Sequence, residues 1–75
     1  MRVYTAIISE DPEDGVYLVD FPSLPGCHTY GRTLEEAQAN AQDALDGFLE
    51  ALAKIGEIPP DEGFMATMQI KAVAG

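Results

Sequence analysis

The sequence predicts an α/β (α+β) fold in the order β-β-β-α-β, a four-stranded sheet with one helix on one face. Three short segments rich in β-branched and aromatic residues are separated by clusters of turn residues. A long segment follows in which apolar residues recur every three or four positions, and the tail then alternates apolar and polar residues. A length of 75 residues allows one domain, so we interpret residues 1–75 as a single domain.

The first three strands are predicted over residues 2–9, 16–21 and 28–30. Residues 10–15 form a turn cluster that ends in Asp-Gly, a typical hairpin signal. Both links between these strands are short, which favours an antiparallel meander. The second strand is apolar on both faces, whereas a strand with one solvated face would alternate polar and apolar residues.

Two prolines and a glycine shape the loop between the second and third strands. Pro22 and Pro25 fix their own φ and push the residues before them towards extended conformations. Pro25 and Gly26 stand at the second and third places of a predicted type II turn, where the glycine supplies the positive φ. A strand therefore ends, a rigid turn reverses the chain, and a short strand follows.

The only helix is predicted from Leu34 to about Ile55. Thr33 is its expected N-cap, and Glu36 completes a capping box by reaching back to the Thr33 amide. Gly56 is the expected C′ residue of a Schellman ending in which Ile58 makes the hydrophobic contact, and we interpret the interior Gly47 as allowing close packing. The apolar stripe consists of Ala37, Ala41, Ala44, Leu45, Phe48, Leu52 and Ile55.

The tail, residues 64–73, alternates well enough to predict a fourth strand. After a helical crossover it would run parallel to the first strand, in the sheet order 3-2-1-4. One helix covers one sheet face, so the other face needs a homo-oligomer or a bound partner. A chain this short buries only about 60 % of its unfolded surface, which also favours a homo-oligomer.

The sequence offers little evidence of a catalytic site or a metal site. Cys27 and His28 could suggest a nucleophile and a base, but neighbouring strand residues point to opposite faces. Zinc needs four ligands, and the chain has one cysteine and one histidine. A two-metal nuclease needs converging carboxylates, whereas Asp20 lies on a strand and the helical acids face outward. We therefore expect no catalytic residue, no metal and no cofactor, and not an enzyme.

The excess of acidic over basic residues favours some classes of binding partner over others. Thirteen acidic residues against four basic ones give a formal net charge of −9. Nucleic acids and anionic membranes are bound through Lys and Arg, so direct binding to either is disfavoured. A basic protein would be attracted, although the same charge could simply keep a small protein soluble. Asp43, Asp46 and Glu50 lie opposite the apolar stripe, and we expect them to contact such a partner.

Three motifs in fixed order resemble the HicB-like antitoxin family: Asp14-Gly15-Val16-Tyr17, Phe21-Pro22-x-Leu24-Pro25-Gly26-Cys27, and Gly31-x-Thr33-x-Glu35-Glu36-Ala37. The resemblance implies a partial ribonuclease H fold and the neutralisation of HicA-type toxins, which are small basic RNA-cleaving proteins. Many relatives carry a further C-terminal DNA-binding domain, which we expect this chain to lack. The motif residues are Gly15, Phe21, Pro22, Leu24, Pro25, Gly26, Cys27, Gly31, Thr33 and Glu36.

The resulting hypothesis is a cytoplasmic, homo-oligomeric antitoxin that binds and neutralises a HicA-type toxin. The alternative is an orphan homo-oligomeric domain with a structural or regulatory role and no toxin partner. A single cysteine allows no intramolecular disulfide, which suits a reducing compartment. No stretch approaches the roughly 20 apolar residues of a membrane span.

Overall fold

The computed structural model describes residues 2–73 of the chain. Its elements are β1 (Ile7–Asp11), β2 (Val16–Asp20), β3 (His28–Gly31) and α1 (Leu34–Lys54). The strands form one antiparallel sheet in the order β1-β2-β3. The predicted α+β class, the meander and the single long helix are therefore confirmed.

The register of the sheet separates a covered face from an open one. Val19 lies opposite Ile8 on β1 and Thr29 on β3, while Leu18 lies opposite Tyr30. Because strand side chains alternate, Val19 faces α1 and Leu18 faces away from it. Val19 is 1 % exposed, whereas Leu18 and Tyr30 are 43 % and 54 % exposed. One sheet face is thus packed and the other is left to solvent.

The core between sheet and helix is small, and alanines on the helix permit it. Ala37 and Ala41 are the buried residues of α1, and their small side chains let the first half of the helix approach the sheet closely. The stripe continues with partly buried Leu45 and Phe48, whereas Ile55 is 69 % exposed. The buried side chains of the described residues are Tyr4, Val19, Phe21, Leu24, Cys27, Ala37 and Ala41.

The closest approach between sheet and helix occurs at Gly31, the last residue of β3. A Cβ at this position would lie 2.3 Å from the Ala37 nitrogen and 2.7 Å from its Cα. No side chain fits such a gap, so glycine is required here by space. Gly47 is the opposite case, since a Cβ there would meet nothing within 4 Å. The interpretation that Gly47 allows close packing is therefore wrong.

The loop between β2 and β3 holds three backbone hydrogen bonds. Leu24 donates to the Phe21 carbonyl at 3.0 Å, Cys27 donates to the Leu24 carbonyl at 2.9 Å, and Phe21 donates to the Cys27 carbonyl at 3.1 Å. Gly26 has φ 89°, as a type II turn with Pro25 before it requires. The turn is confirmed, and it directs three apolar side chains of the loop into the core.

The N-terminus of α1 confirms half of the predicted capping box. Thr33 is the N-cap, and its hydroxyl accepts from the Glu36 amide at 3.0 Å. The Glu36 carboxylate accepts from the Arg32 amide at 3.1 Å, not from the Thr33 amide. The Arg32 amide follows directly after β3, where the ladder has ended and a donor needs a partner.

The C-terminus of α1 is a Schellman motif, as predicted. Gly56 has φ 76° and donates to the Ala53 carbonyl at 3.1 Å, while Glu57 donates to the Leu52 carbonyl at 2.9 Å. The helix ends one residue earlier than predicted. Ile58 is 83 % exposed, so the expected hydrophobic contact of this residue is wrong.

The first strand starts later and ends later than predicted, and it includes Glu10 and Asp11 of the predicted turn cluster. It begins at Ile7, which lies opposite Asp20, the last residue of β2. The next residue of β2 would be Phe21, but its amide bonds within the following loop. Residues 2–6 consequently have no strand partner on that side.

The fourth strand predicted over residues 64–73 is not confirmed, and neither is the sheet order 3-2-1-4. The three-stranded sheet does not include these residues. Phe64, Met68 and Ile70 are 97 %, 79 % and 78 % exposed. Alternation shows which residues share a face, but it does not specify the backbone with which they pair.

The two glycines provide a matched test of the sheet–helix contact. Gly31→Ala is expected to destabilise the protein by about 1–3 kcal/mol, because its Cβ overlaps the backbone of α1. Gly47→Ala is expected to stabilise it by up to about 1 kcal/mol, because the added methyl group meets open space and alanine favours the helix. Urea unfolding followed by circular dichroism measures both, and equal changes for the two variants would contradict this packing.

Candidate partner-binding surfaces

The outward side of α1 carries the three acidic residues expected to contact a partner. Asp43, Asp46 and Glu50 are all exposed, and their spacing of three and four places them on one side of the helix. Asp46 accepts from Gln42 at 3.0 Å, and Glu50 pairs with Lys54 at 3.5 Å. Exposed pairs of this kind contribute about 0.3–0.5 kcal/mol, so a stronger cationic partner would displace them. We call these three residues the acidic helix face.

The open face of the sheet carries an apolar pair, Leu18 opposite Tyr30, next to polar residues: Ser9 lies on the other side of Leu18, and Ile7 lies opposite Asp20. Ile7, Leu18 and Tyr30, one from each strand, are 40 %, 43 % and 54 % exposed. Exposed apolar side chains that adjoin one another on a sheet mark a surface that another protein can cover. At one end of this face a groove of about 550 Å³ is lined by Asp11, Asp14, Gly15, Val16, Leu18, Tyr30 and Arg32.

Cys27 and His28 point apart, as the sequence predicted. Cys27 is 2 % exposed and its thiol lies 3.8 Å from the Ala44 carbonyl, whereas His28 is exposed. Burial raises the pKa of the Cys27 thiol, and the negative charge of Asp20 raises it further. The thiol is therefore held protonated, which is the opposite of what an activated nucleophile needs.

The acidic residues do not gather into a metal site where the structure describes them. Within residues 2–73, no three His, Cys, Asp or Glu side chains are grouped so that they could hold a metal ion. Asp20 lies on the sheet and the acidic helix face points to the other side of α1, so these carboxylates do not converge. In the same range, no helix combines the length and apolar character of a membrane span.

Glu62 joins three separate parts of the chain, and sequence reasoning missed it. Its carboxylate accepts from the Thr5 amide at 2.8 Å, the Thr5 hydroxyl at 2.6 Å and the Ser23 hydroxyl at 2.9 Å. The segment before β1, the proline-rich loop and the segment after α1 thus meet at one side chain. The second of two acidic residues after two prolines looks like an ordinary loop residue, so the sequence contained no signal for it.

Two neighbouring contacts strengthen this junction. The Tyr4 hydroxyl donates to the Pro60 carbonyl, and Arg2 pairs with Asp61. Tyr4 is also part of the core, with 9 % of its surface exposed. The segment after the helix is therefore fixed against residues 2–5 before the tail leaves the body.

The hydrogen bonds at Glu62 affect its ionisation. The hydroxyl and then the amide of Thr5 hold the pKa of the Glu62 carboxyl below its usual value. Desolvation acts in the opposite direction, and the Ser23 hydroxyl adds a smaller lowering. A lowered pKa in the folded state means that the ionised carboxylate stabilises the fold, and that this contribution is lost as the pH falls through the folded pKa.

Comparison with known proteins gives a consistent family. A family model described as the HicB_like antitoxin of bacterial toxin-antitoxin systems matches residues 4–72. A UPF0150 protein of Thermoplasma acidophilum is 49 % identical over 59 residues, which cover 77 % of this chain and 84 % of the relative. A UPF0150 protein of Archaeoglobus fulgidus is 47 % identical over 45 residues, which cover 60 % of this chain and 65 % of that protein.

A solved structure agrees with these sequence matches. The crystal structure of the N-terminal domain of the Burkholderia pseudomallei antitoxin HicB is similar to this chain, with a TM-score of 0.61 and 33 % sequence identity. The similarity covers 84 % of this chain and 68 % of that chain. The resemblance first seen in the three sequence motifs is therefore confirmed at the level of the family.

Replacing Glu62 tests the junction through its pH dependence. Glu62→Gln is expected to lower the melting temperature at neutral pH, where the wild-type carboxylate is ionised and accepts three hydrogen bonds. The difference from wild type should shrink as the pH falls below about 4.3, the usual pKa of a free Glu, because the wild-type carboxylate then protonates. Glu57→Gln, a change at an exposed glutamate of the same segment, is the control. Melting curves from neutral to acidic pH that show a constant difference for Glu62→Gln would contradict this role.

Proposed function

This chain belongs to the HicB-like antitoxin family, and from that premise we propose that it is a non-enzymatic antitoxin that binds and neutralises a small basic HicA-type toxin. The supporting observation is the acidic helix face, three exposed carboxylates on one side of α1 in a chain of net charge −9. An RNA-cleaving protein must hold a polyanion, so its binding surface is rich in Lys and Arg. Such a surface is attracted to the acidic face.

In this proposal the antitoxin neutralises the toxin by competing with RNA for the cationic surface of the toxin. Carboxylates that pair with the cations of the toxin occupy the groups that would otherwise bind RNA phosphates. The antitoxin needs no catalytic group for this, which agrees with the protonated, buried thiol of Cys27. The proposed site of action is the cytoplasm, where the RNA substrate of a toxin is found.

Self-association is the second part of the proposal. The open sheet face exposes Ile7, Leu18 and Tyr30, and a small core gives the single chain little reserve of stability. A homodimer would cover apolar surface that the monomer leaves in water. The same observation supports the alternative function, an orphan homo-oligomeric domain with no toxin. A gene for a small basic protein beside the gene for this chain favours the antitoxin over that alternative.

Charge reversal on the acidic helix face tests toxin binding. Asp43→Lys with Asp46→Lys is expected to slow association with the cognate toxin by roughly tenfold at low salt, with a smaller effect on dissociation. The wild-type association rate should itself fall as salt is raised, because the charges are screened. Stopped-flow or biosensor kinetics with a catalytically inactive toxin measure both rates.

A matched control distinguishes a local contact on α1 from an effect of the net charge of the protein. Glu10→Lys with Glu13→Lys changes the net charge equally at exposed positions in and beside β1. This control should slow association less than the helix variant. If both variants slow association equally, the toxin senses only overall charge. If neither variant slows it, the contact lies on the sheet.

A further inference from the structure

The tail, residues 64–73, exposes large apolar side chains almost completely to solvent. Its alternation places Phe64, Met68 and Ile70 on one face, and these side chains are 97 %, 79 % and 78 % exposed. The three-stranded sheet does not include this segment, although its pattern is that of a half-buried strand. An apolar strand pattern that lies in water indicates a missing partner.

The dimensions of the molecule show that the tail extends away from the body. The radius of gyration is 14.5 Å, and the longest extent is 47 Å. A compact domain of 75 residues has a radius of gyration of about 11 Å. Because residues 60–62 are fixed at the junction with residues 2–5, the part that extends begins just after Glu62.

The sheet has a free edge at β1 along which the tail of another copy can bind. β1 is an edge strand in the order β1-β2-β3, and an edge strand carries backbone groups that can accept a further strand. Beside the segment that leads into β1, a groove of about 560 Å³ runs between that segment and α1. Val3, Tyr4, Leu45 and Leu49 supply its apolar lining. Arg2, Gln42 and Asp46 line it as well, so the groove adjoins the acidic helix face. A strand added along this edge can place alternate apolar side chains in the groove.

We propose that residues 64–73 of one chain bind as an added strand along the free edge of β1 of a second copy, with Phe64, Met68 and Ile70 directed to its groove. Two tails and two edges exchanged in this way form a closed symmetric dimer. The inference rests on the proposed self-association but places its own contact at the edge of β1 and the groove beside α1, not on the open sheet face. Each copy then gains a fourth strand that it does not form from its own chain.

Charge supports an acidic occupant, such as a second copy of this chain, over a basic one. All thirteen acidic residues lie before Gly63, and Lys71 is the only charged residue after it. The tail is therefore matched to an acidic body such as its own, and not to a basic toxin.

Light scattering with two matched double variants tests the exchange. Met68→Asn with Ile70→Asn puts polar amides on the buried face of the added strand, and Thr67→Asn with Gln69→Asn puts the same groups on its other face without changing the net charge. We expect wild type and the Thr67/Gln69 variant at twice the chain mass of 8.1 kDa, and the Met68/Ile70 variant at the chain mass. A dimeric Met68/Ile70 variant would overturn the tail exchange while leaving self-association intact. A monomeric wild type would overturn both.

Mixed dimers test which edge the tail occupies. One copy is isotopically labelled and the other is not, so only contacts between copies are detected by filtered nuclear Overhauser experiments. We expect contacts between amides of Ile7–Asp11 in one copy and side chains of residues 64–73 in the other. Contacts only between the two tails, or a tail paired with β1 of its own chain, would overturn the proposal. The Met68/Ile70 variant should still bind the toxin through α1, so failure here is separate from failure of the antitoxin function.

Discussion

The contact between Gly31 and the first turn of α1 is the constraint on which the rest of the structure depends. With no Cβ at Gly31, the backbone of β3 lies against Ala37, and the helix starts only two residues later at the Thr33 cap. This approach sets the direction of α1 over the sheet and explains why its first half must be alanine-rich. It also decides which side of the helix faces water, and hence where Asp43, Asp46 and Glu50 lie.

Local chemistry made the centre of the fold predictable. Pro25 and Gly26 specify a turn type by their own backbone preferences, and Thr33 and Gly56 mark the helix ends for similar reasons. Contacts between distant parts of the chain were not predictable in this way. Glu62 reaches Thr5 and Ser23 only because the folded chain brings them together. The fourth strand failed as an intrachain prediction because alternation names a face and not a partner.

The acidic helix face could be predicted from the sequence, whereas the groove beside the edge of β1 could not. A helical spacing of three and four fixes one side of a helix from the residues alone. The groove beside β1 combines Val3 and Tyr4 with Leu45 and Leu49, which are some forty residues apart in the chain. The two proposed partners differ in chemistry: a basic toxin for the carboxylates of α1, and a second copy for the apolar tail and the edge of β1. In that proposal the copy that completes the sheet also adds stability to a small core.

The most direct test of the antitoxin assignment is RNA cleavage by a purified HicA-type toxin from the same cell, measured as this protein is titrated in. We expect cleavage to fall in proportion to the added protein and to cease once the toxin is saturated. We also expect the activity to return when high salt dissociates the complex, tested with a toxin that is active at that salt. Undiminished cleavage in the presence of excess folded protein would contradict the assignment.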